Sequence, residues 1–487
     1  MIISMTGIAD IRKMLDTKQI SCTELTKTYM DAAKRENTEL NAFISFTEET
    51  AEKAARSVDE KLAKGESTSP LAGVPFIMKD SISTEGLATT CASKMLANYV
   101  PFYNADTWDK LQDAGAVLLG KGNLDEFAMG STTETSFFGP TKNPRDTARV
   151  PGGSSGGCAA AVGGALSVFG IGSDTGGSVR QPAAYCGVVG LKPTYGTVSR
   201  FGLLSYASSL DQTGVLAVNV RDTALVLDTI SGYDKRDMTS RATDKVSDKL
   251  TGSVKGKKIG IPRAFYEELS SDVEASLLEM AKTYEKLGAT VVDVDFPLLK
   301  ETVPAYYIVA CAEASSNLGR FDGLRFGHHA EGTTSLEEFI CKTRTEGFGP
   351  EVRRRLMIGT YVLSAGYYDA YYNKAKLLCR GVSSALSKLL GDVDMLLTPT
   401  SPTTAIPFGL NRTPVEAYMA DICTVPVNVA GVPALSIPCG IDKDGLPIGA
   451  QLIGGKFREL SILDAALAFE NETGGEYVMS AKGGVSL

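Results

Sequence analysis

Histidine is the scarcest catalytic residue type in this chain of 487 residues: only two are present, His328 and His329, and they are adjacent. They stand in the polar segment RFGHHAEGTTS, which is typical of a surface loop. A mechanism with a histidine base, or a metal site built from several histidines, therefore has very little material here. This scarcity argues against most hydrolase and metalloenzyme arrangements.

Cysteine is present, but the cysteines do not have the spacing of a metal site or a disulfide framework. The nine cysteines are scattered from Cys22 to Cys439, and no two of them form a CxxC motif. An odd and scattered set predicts neither a disulfide framework nor a zinc site. We therefore expect buried, reduced thiols and no metal centre.

Long apolar runs are also missing. No run reaches the roughly 20 residues of a membrane-spanning helix, and glycine interrupts the best candidate, 158–172. The opening residues, MIISMTGIADIRKML, lack the basic and then apolar segments of a secretion signal. The formal net charge of −8 argues against an extensive nucleic-acid surface, although a local basic patch is compatible with it. We expect a cytoplasmic protein with no membrane partner.

The chain does contain an alternation of strand and helix patterns, which is typical of an α/β fold. Apolar residues make up 43% and charged residues 22%, as in ordinary globular proteins. Ser21 and Glu24 have capping-box spacing at the start of a predicted helix over 20–36, and a second predicted helix covers 48–64. We predict an N-terminal helical layer over residues 1–66.

The most informative stretch runs over residues 151–194. It holds two serine clusters embedded in glycine, GGSSGG at 152–157 and DTGGS at 174–178, and glycine far exceeds its usual share of about 7%. The apolar residues between the clusters resemble a core rather than a flexible linker. A serine at a strand-to-helix junction, preceded by glycines, faces converging backbone N–H groups, and an oxyanion hole is built in this way.

A lysine at the end of a short apolar strand is the second unusual feature. The segment LAGVPFIMKDSIST places Lys79 and Asp80 where this strand ends. One interpretation is a surface Lys79–Asp80 pair. The other is a desolvated amine with a depressed pKa, which can act as a base.

Two familiar motifs occur in incomplete form. Gly115-x-x-x-x-Gly120-Lys121 imitates a phosphate-binding loop, but Gly122 replaces the serine or threonine, and the intervening AVLL predicts a strand. We therefore reject ATP binding at this position.

The second motif, Gly152-x-Ser154-x-Gly156, fits the nucleophile elbow of α/β-hydrolases. That arrangement requires a histidine, and only His328 or His329 is present to supply it. A relay without histidine is the alternative, with Lys79 as base, Ser154 as bridge and Ser178 as nucleophile. Spacing alone does not establish that these three residues converge.

The motifs GVPFIMKD, PGGSSGG and GSDTGGSVRQPAAYCGVVGLKPTYG resemble those of the amidase signature family. The resemblance implies a single large fold whose central mixed β-sheet is covered by helices on both faces. It assigns this fold to residues 67–475, with a catalytic core over 71–220, a second half over 257–475 that completes the sheet and the substrate pocket, and a tail over 476–487.

The same resemblance implies the catalytic roles. The set of base, cis-configured bridging serine and nucleophile falls on Lys79, Ser154 and Ser178. The oxyanion donors are then the backbone N–H groups of Thr175, Gly176, Gly177 and Ser178.

Several longer stretches resemble the glutaminase subunits of tRNA-dependent amidotransferases within that family: NLDEFAMGSTTE, RFGLLSYASSLDQTG, YYIVACAEASSNLGRFDGLRFG, GFGPEVRRRLMIGTYVLSAGYYDAYY and ADICTVPVNVAGVPALSIP. This resemblance implies that glutamine is bound by Tyr306, Arg355, Asp421, Met129, Gly130 and Ser131. A zwitterion needs one fixed cation and one fixed anion, and Arg355 and Asp421 supply them. The choices between Tyr306 and Tyr307, and between Arg354 and Arg355, stay open.

The partners are likewise implied by the resemblance alone. They are the B and C subunits of a heterotrimer. A partner subunit uses ATP and Mg²⁺ and binds most of the aminoacyl-tRNA. This chain itself is expected to hold no cofactor. Whether Asp-tRNA(Asn) is converted as well as Glu-tRNA(Gln) stays open. The alternatives are a free-standing amidase of small or aryl amides, and a scaffold that has lost its chemistry.

Thr213 and Val215 depart from the expected motif, at a position that we interpret as a loop away from the relay.

Overall fold

The fold is built around one large sheet. The computed structural model describes residues 2–3, 7–410, 412–477 and 485–486. Within them the strands are β1 (Ile2–Ile3), β2 (Phe43–Phe46), β3 (Pro75–Lys79), β4 (Val117–Gly122), β5 (Phe169–Asp174), β6 (Val189–Lys192), β7 (Gln212–Ala217), β8 (Lys258–Pro262), β9 (Thr290–Val294), β10 (Met395–Pro399), β11 (Ala434–Ile441), β12 (Pro447–Gly454) and β13 (Val485–Ser486). Eleven of them form the sheet, in the order β2-β4-β3-β5-β7-β6-β11-β12-β10-β8-β9, and β1 pairs with β13.

Helices connect and flank these strands. They are α1 (Ile8–Asp16), α2 (Cys22–Leu40), α3 (Glu48–Ala63), α4 (Asp106–Asp113), α5 (Gly156–Gly163), α6 (Arg180–Cys186), α7 (Val220–Ile230), α8 (Ser271–Lys286), α9 (Leu299–Asn317), α10 (Leu336–Gly347), α11 (Pro350–Val362), α12 (Lys374–Asp392), α13 (Pro414–Met419), α14 (Val425–Ala430) and α15 (Glu459–Thr473). Among the described residues no helix combines the length and the apolar character needed to cross a membrane.

The sheet is mixed and covered on both faces. β3 is parallel to β4 and β5, whereas β7 is antiparallel to both of its neighbours. Every residue of β3, β5, β7, β10 and β12 is buried. Because successive side chains of a strand point to opposite faces, layers must cover both faces. The predicted α/β fold with a covered mixed sheet is confirmed.

The N-terminal helices follow from local sequence signals. The Ser21 hydroxyl accepts a hydrogen bond from the Glu24 N–H at 3.1 Å, and the Glu24 carboxylate accepts one from the Ser21 N–H at 3.0 Å, as the capping-box spacing predicts. Helices α1 to α3 share one apolar core with the sheet. The boundary at residue 66 stays a prediction, and most of the predicted tail, 476–487, lies outside the described residues.

Three elements differ from the sequence patterns. Residues 351–373 have a helical pattern but do not form one helix: α11 ends at Val362, and Gly366 in the interruption that follows has a φ of +86°. β6 is missed by the sequence analysis because its four residues include glycine and do not alternate. Thr213 and Val215 lie inside β7, so their interpretation as loop positions is wrong.

The register of β3 and β5 determines where the two predicted catalytic regions lie. These strands are parallel neighbours, with Phe76 opposite Phe169 and Met78 opposite Ile171. The carboxyl ends of parallel strands lie at the same edge of a sheet. Lys79, the last residue of β3, is therefore brought beside the DTGGS turn that follows β5.

Candidate active site

Lys79 is the centre of the site. Its side chain is fully buried, and its Nζ lies 2.7 Å from the Ser154 hydroxyl oxygen and 2.9 Å from that of Ser173. Burial lowers the pKa of the Lys79 ammonium to about 8. An amine with this pKa can serve as a neutral base close to physiological pH.

Asp80 points away from Lys79, which rules out the surface pair. It is buried, and its carboxylate accepts hydrogen bonds from the Thr90 N–H and hydroxyl at 2.9 and 2.5 Å. Its nearest cation is Lys121, at 3.7 Å. Asp80 therefore anchors the loop that follows β3.

Ser154 and Ser178 come from the two glycine-rich clusters. The Gly153–Ser154 peptide bond is cis, and Ser154 is fully buried beside Lys79. Ser178 follows the turn after β5 and lines a narrow pocket. Within the described residues the Ser178 hydroxyl makes no hydrogen bond, so it faces the pocket without a protein partner.

A buried ion pair holds the DTGGS turn. The Asp174 carboxylate accepts hydrogen bonds from Arg180 Nε at 3.0 Å and Nη2 at 2.9 Å, and both side chains are inaccessible to solvent. Burial alone would raise the pKa of Asp174, but the Arg180 guanidinium outweighs burial and keeps this pKa well below its ordinary value. The carboxylate also accepts from the N–H groups of Gly177 and Val179, at 2.9 and 3.1 Å.

The hydrogen bond from the Gly177 N–H to Asp174 corrects the predicted oxyanion hole. The Gly177 N–H is already donated to Asp174, so a substrate oxygen cannot use it. The N–H groups of Thr175, Gly176 and Ser178 have no acceptor among the described residues, and all three residues line the pocket. Gly177 has a φ of +130°, and a Cβ there would overlap Thr424, so only glycine fits this position.

The remaining lining of the pocket includes most of the predicted substrate residues. Tyr306, Arg355, Asp421, Gly130 and Ser131 are all present, together with Ala128, Gly153, Tyr206 and Tyr307. Both tyrosines of the Tyr306/Tyr307 pair therefore line the pocket. Arg354, in contrast, is exposed and paired with Glu351.

Met129 is the exception among the predicted substrate residues. It is fully buried and belongs to an apolar cluster with Phe127, Phe321 and Phe348, and it does not line the pocket. Its side chain packs behind the loop whose neighbouring residues, Ala128 and Gly130, line the pocket. The structure therefore places Met129 outside the pocket lining, and its contact with substrate stays a prediction.

Arg355 supplies the positive side of the pocket. Its Nε donates to Glu351 Oε1 at 2.8 Å, and its Nη1 donates to the Tyr206 hydroxyl at 2.9 Å. The guanidinium also lies 5.2 Å from the ring centroids of both Tyr307 and Tyr418. These contacts hold the group in one orientation.

Asp421 supplies the negative side. It is half-buried and accepts a hydrogen bond from the Tyr307 hydroxyl at 2.7 Å. Burial raises the pKa of Asp421 to about 6, and the Tyr307 hydrogen bond opposes that rise. The carboxylate is ionised at neutral pH.

Sequence reasoning missed residues that orient the predicted ones. Ser173, inside the quoted GSDTGGS motif, is a second hydroxyl partner of Lys79. Asp125 accepts hydrogen bonds from the Thr133 N–H at 2.9 Å and the Thr135 hydroxyl at 2.9 Å, which shapes the loop that carries Gly130 and Ser131. The signal that could have found Asp125 is an acidic residue just before a polar, glycine-containing loop.

The structure accounts for the phosphate-loop-like motif and for the two histidines that a nucleophile elbow would require. Lys121 lies in β4, fully buried, and donates to the Ile82 carbonyl at 2.6 Å and the Thr84 hydroxyl at 3.0 Å. His328 contacts Glu346 at 2.9 Å and His329 is exposed, and neither lines the pocket of Ser178. In the part of the chain that the structure describes, no three His, Cys, Asp or Glu side chains are grouped to hold a metal ion.

Comparison with known proteins agrees with this geometry. A sequence model of the Amidase family matches residues 24–463. The A subunit of the glutamyl-tRNA(Gln) amidotransferase of Lachnospira eligens is 51% identical over 460 residues, covering 94% of this chain and 96% of that protein. The protein of the same name from Thermoanaerobacter pseudethanolicus is 50% identical over 467 residues, covering 95% of each chain.

A solved structure is similar over the same length. The crystal structure of the glutamyl-tRNA(Gln) amidotransferase A subunit of Thermotoga maritima has a TM-score of 0.79 and 41% sequence identity, covering 96% of this chain and 95% of that one. These findings confirm the resemblance drawn from the motifs. The chain belongs to the Amidase family and, within it, is similar to proteins that are named as the A subunit of this amidotransferase.

Proposed function

We propose that this chain is the glutaminase subunit of a tRNA-dependent amidotransferase. It hydrolyses glutamine to glutamate and ammonia, and a partner subunit uses the ammonia to convert Glu-tRNA(Gln) to Gln-tRNA(Gln). The observation that carries the proposal is one pocket lined by the nucleophile candidate, Ser178, a fixed cation, Arg355, and a fixed anion, Asp421. A small zwitterion with a reactive amide matches this arrangement.

The acylation step uses the three predicted catalytic residues. Ser178 Oγ attacks the side-chain carbonyl carbon of glutamine while its proton passes through Ser154 to the neutral amine of Lys79. The Lys79–Ser154 distance of 2.7 Å supports this transfer, because it is a direct hydrogen bond. The carbon–nitrogen bond then breaks, and the proton returned by the relay leaves with ammonia.

The oxyanion of the tetrahedral intermediate is stabilised by the backbone N–H groups of Thr175, Gly176 and Ser178. One such donor contributes roughly 3–4 kcal/mol in enzymes where it has been removed. Water then attacks the acyl-Ser178 ester, again with Lys79 as the base, and glutamate leaves. Arg355 binds the α-carboxylate and Asp421 the α-ammonium throughout the cycle.

The partners belong to the proposal as well. The relatives at about 50% identity are named as the A subunit of an amidotransferase, which supports a heterotrimer with B and C subunits. ATP, Mg²⁺ and the aminoacyl-tRNA are bound mainly by a partner, since the one phosphate-loop-like segment of this chain forms β4. A tRNA-charging complex of this kind acts in the cytoplasm.

The test is to compare two nitrogen donors in the assembled complex. We expect Ser178→Ala to abolish glutamate formation and glutamine-dependent tRNA amidation, while ammonium salts still support amidation. Ser384→Ala, an exposed serine on α12, is the matched control and should behave as wild type. Glutamate formation by the Ser178→Ala complex would refute the nucleophile assignment. A wild-type chain that hydrolyses amides but amidates no tRNA with any partner would identify a free-standing amidase.

A further inference from the structure

We infer that Glu126 is a positioning residue for glutamine binding: it fixes the start of α11, and with it Arg355, relative to the loop of residues 128–131, which carries other lining residues of the pocket. This inference rests on the proposed role of Arg355 in binding the α-carboxylate. Glu126 does not touch the pocket itself.

The carboxylate of Glu126 joins three segments of the chain. It is buried, with 3% of the residue exposed. Oε1 accepts a hydrogen bond from the Ser93 hydroxyl at 2.5 Å, and Oε2 accepts one from the Gly349 N–H at 2.8 Å. The Ser93 hydroxyl is also within 3.3 Å of the Gly347 carbonyl oxygen. Within the described residues Glu126 forms no salt bridge, although the charge of Arg353 acts on its carboxylate, so these hydrogen bonds are its direct polar contacts.

The residues next to Glu126 connect it to the pocket. Phe127 packs against Phe348, with ring centroids 5.6 Å apart, and Ala128 lines the pocket. Phe127 and Ala128 both have positive φ, +50° and +60°. Such conformations are costly for residues with a Cβ and persist only where the surroundings hold them. The Glu126 hydrogen bonds and the Phe127–Phe348 contact are among the contacts that do so, together with the hydrogen bond from the Phe127 N–H to the Cys91 carbonyl oxygen.

The contact with Gly349 connects Glu126 to Arg355. Gly349 is the N-cap of α11, so the carboxylate fixes where this helix begins. Arg355 lies on the same helix, and each helical residue rises 1.5 Å, so a displaced start moves the guanidinium along the pocket. A Cβ on Gly349 would overlap Glu126 Oε2, which shows how closely the two segments approach. Misplacement by about 1 Å is enough to cost up to 100-fold in activity.

The experiment separates binding of glutamine from reactivity of the nucleophile. In the assembled complex, we expect Glu126→Ala to raise KM for glutamine about tenfold, with a smaller change in kcat. The rate at which a small alkyl fluorophosphonate labels Ser178 should stay as in wild type, because that probe carries neither an α-carboxylate nor an α-ammonium. Glu126→Gln should restore KM, since its carbonyl accepts from Gly349 and its amide can donate to Ser93. Glu337→Ala, an exposed glutamate of α10, is the control.

A double-mutant cycle tests the Gly349 contact directly. Gly349→Ala should raise KM like Glu126→Ala, because the added Cβ displaces the carboxylate. Combined with Glu126→Ala it should add little, because no carboxylate remains to be displaced. If Glu126→Ala does not fold, the KM values of Gly349→Ala and of Glu126→Gln decide the question.

Three outcomes would overturn the inference: an unchanged KM in Glu126→Ala, a parallel loss of fluorophosphonate labelling, or full additivity with Gly349→Ala. Arg355→Met separates this inference from the proposed function. If Arg355→Met leaves KM unchanged, the substrate assignment fails. If it raises KM while Glu126→Ala does not, only the positioning role of Glu126 fails.

Discussion

Lys79 Nζ lies 2.9 Å from the Ser173 hydroxyl, a contact as direct as its bond to Ser154. Ser173 is the penultimate residue of β5, and Lys79 is the last residue of the parallel neighbour β3. The amine is thus held between two hydroxyl groups that come from different segments. Both hydroxyl groups hold the amine in place, and in the proposed relay Ser154 is the one that passes the proton.

Replacement of Ser173 by alanine should shift the pH profile of the glutaminase. The Ser173 oxygen favours the charged form of Lys79, so its loss should lower the Lys79 pKa further. The rising limb of kcat/KM should then move to lower pH, and the plateau should fall about tenfold because the amine is held less firmly. Ser173→Thr keeps the hydroxyl and serves as the control. A limb that moves to higher pH would contradict this account.

The wild-type pH profile should report the neutral amine of Lys79. Because burial lowers its pKa to about 8, the base is protonated below that value and free above it. Glutamine hydrolysis should therefore increase as pH rises through about 8. Lys79→Arg should be inactive over pH 6 to about 10, since arginine stays protonated there. Steady-state rates across this range test both statements, and a limb centred near 6.5 would instead implicate a histidine.

Tyr307→Phe should make glutamine binding sensitive to mild acid. The Tyr307 hydroxyl favours the ionised form of Asp421, whose pKa is about 6. Without this hydrogen bond the pKa rises, so the carboxylate that binds the α-ammonium is lost at a higher pH. As the pH is lowered, we expect KM for glutamine to begin to rise near pH 7 in the variant but only near pH 6 in wild type. Asp421→Asn, with no charge at any pH, should show a high KM that does not vary over this range.

The buried Asp174–Arg180 pair should be important for stability. Removal of one partner leaves the other as an uncompensated buried charge, which typically costs about 3–5 kcal/mol. Arg180→Met should therefore lower the free energy of unfolding by this order, measured by urea denaturation. Asp244→Asn, which removes an exposed pair with Lys249, is the matched control and should cause no measurable change. Equal effects of the two substitutions would show that the buried pair is not critical.

Much of the fold was accessible from local patterns. The capping box at Ser21, the short apolar strand that ends on Lys79 and the alternation of strands and helices all correspond to elements of the structure. Local patterns were less successful where tertiary contacts dominate. Val189–Lys192 becomes a strand because β7 and β11 flank it, and nothing in its four residues indicates this.

The candidate site divides in the same way. Residue types and motifs pointed to Lys79, Ser154 and Ser178, because a chain with two histidines has few other means of activating a serine. Sequence could not separate Arg355 from Arg354 or exclude Met129 from the pocket lining. Residues that are adjacent in the chain differ in the direction in which their side chains point, and that direction is not visible in the sequence. It also could not reveal that the Gly177 N–H is occupied by Asp174.

The physical reason is the range of the interactions. Chemical identity, helix capping and strand patterning depend on residues a few positions apart, and these can be read along the chain. The meeting of Lys79 with Ser154 and Ser173 depends on the parallel register of β3 and β5, which long-range packing sets. The same holds for the opposed charges of Arg355 and Asp421, which come from α11 and the segment between α13 and α14.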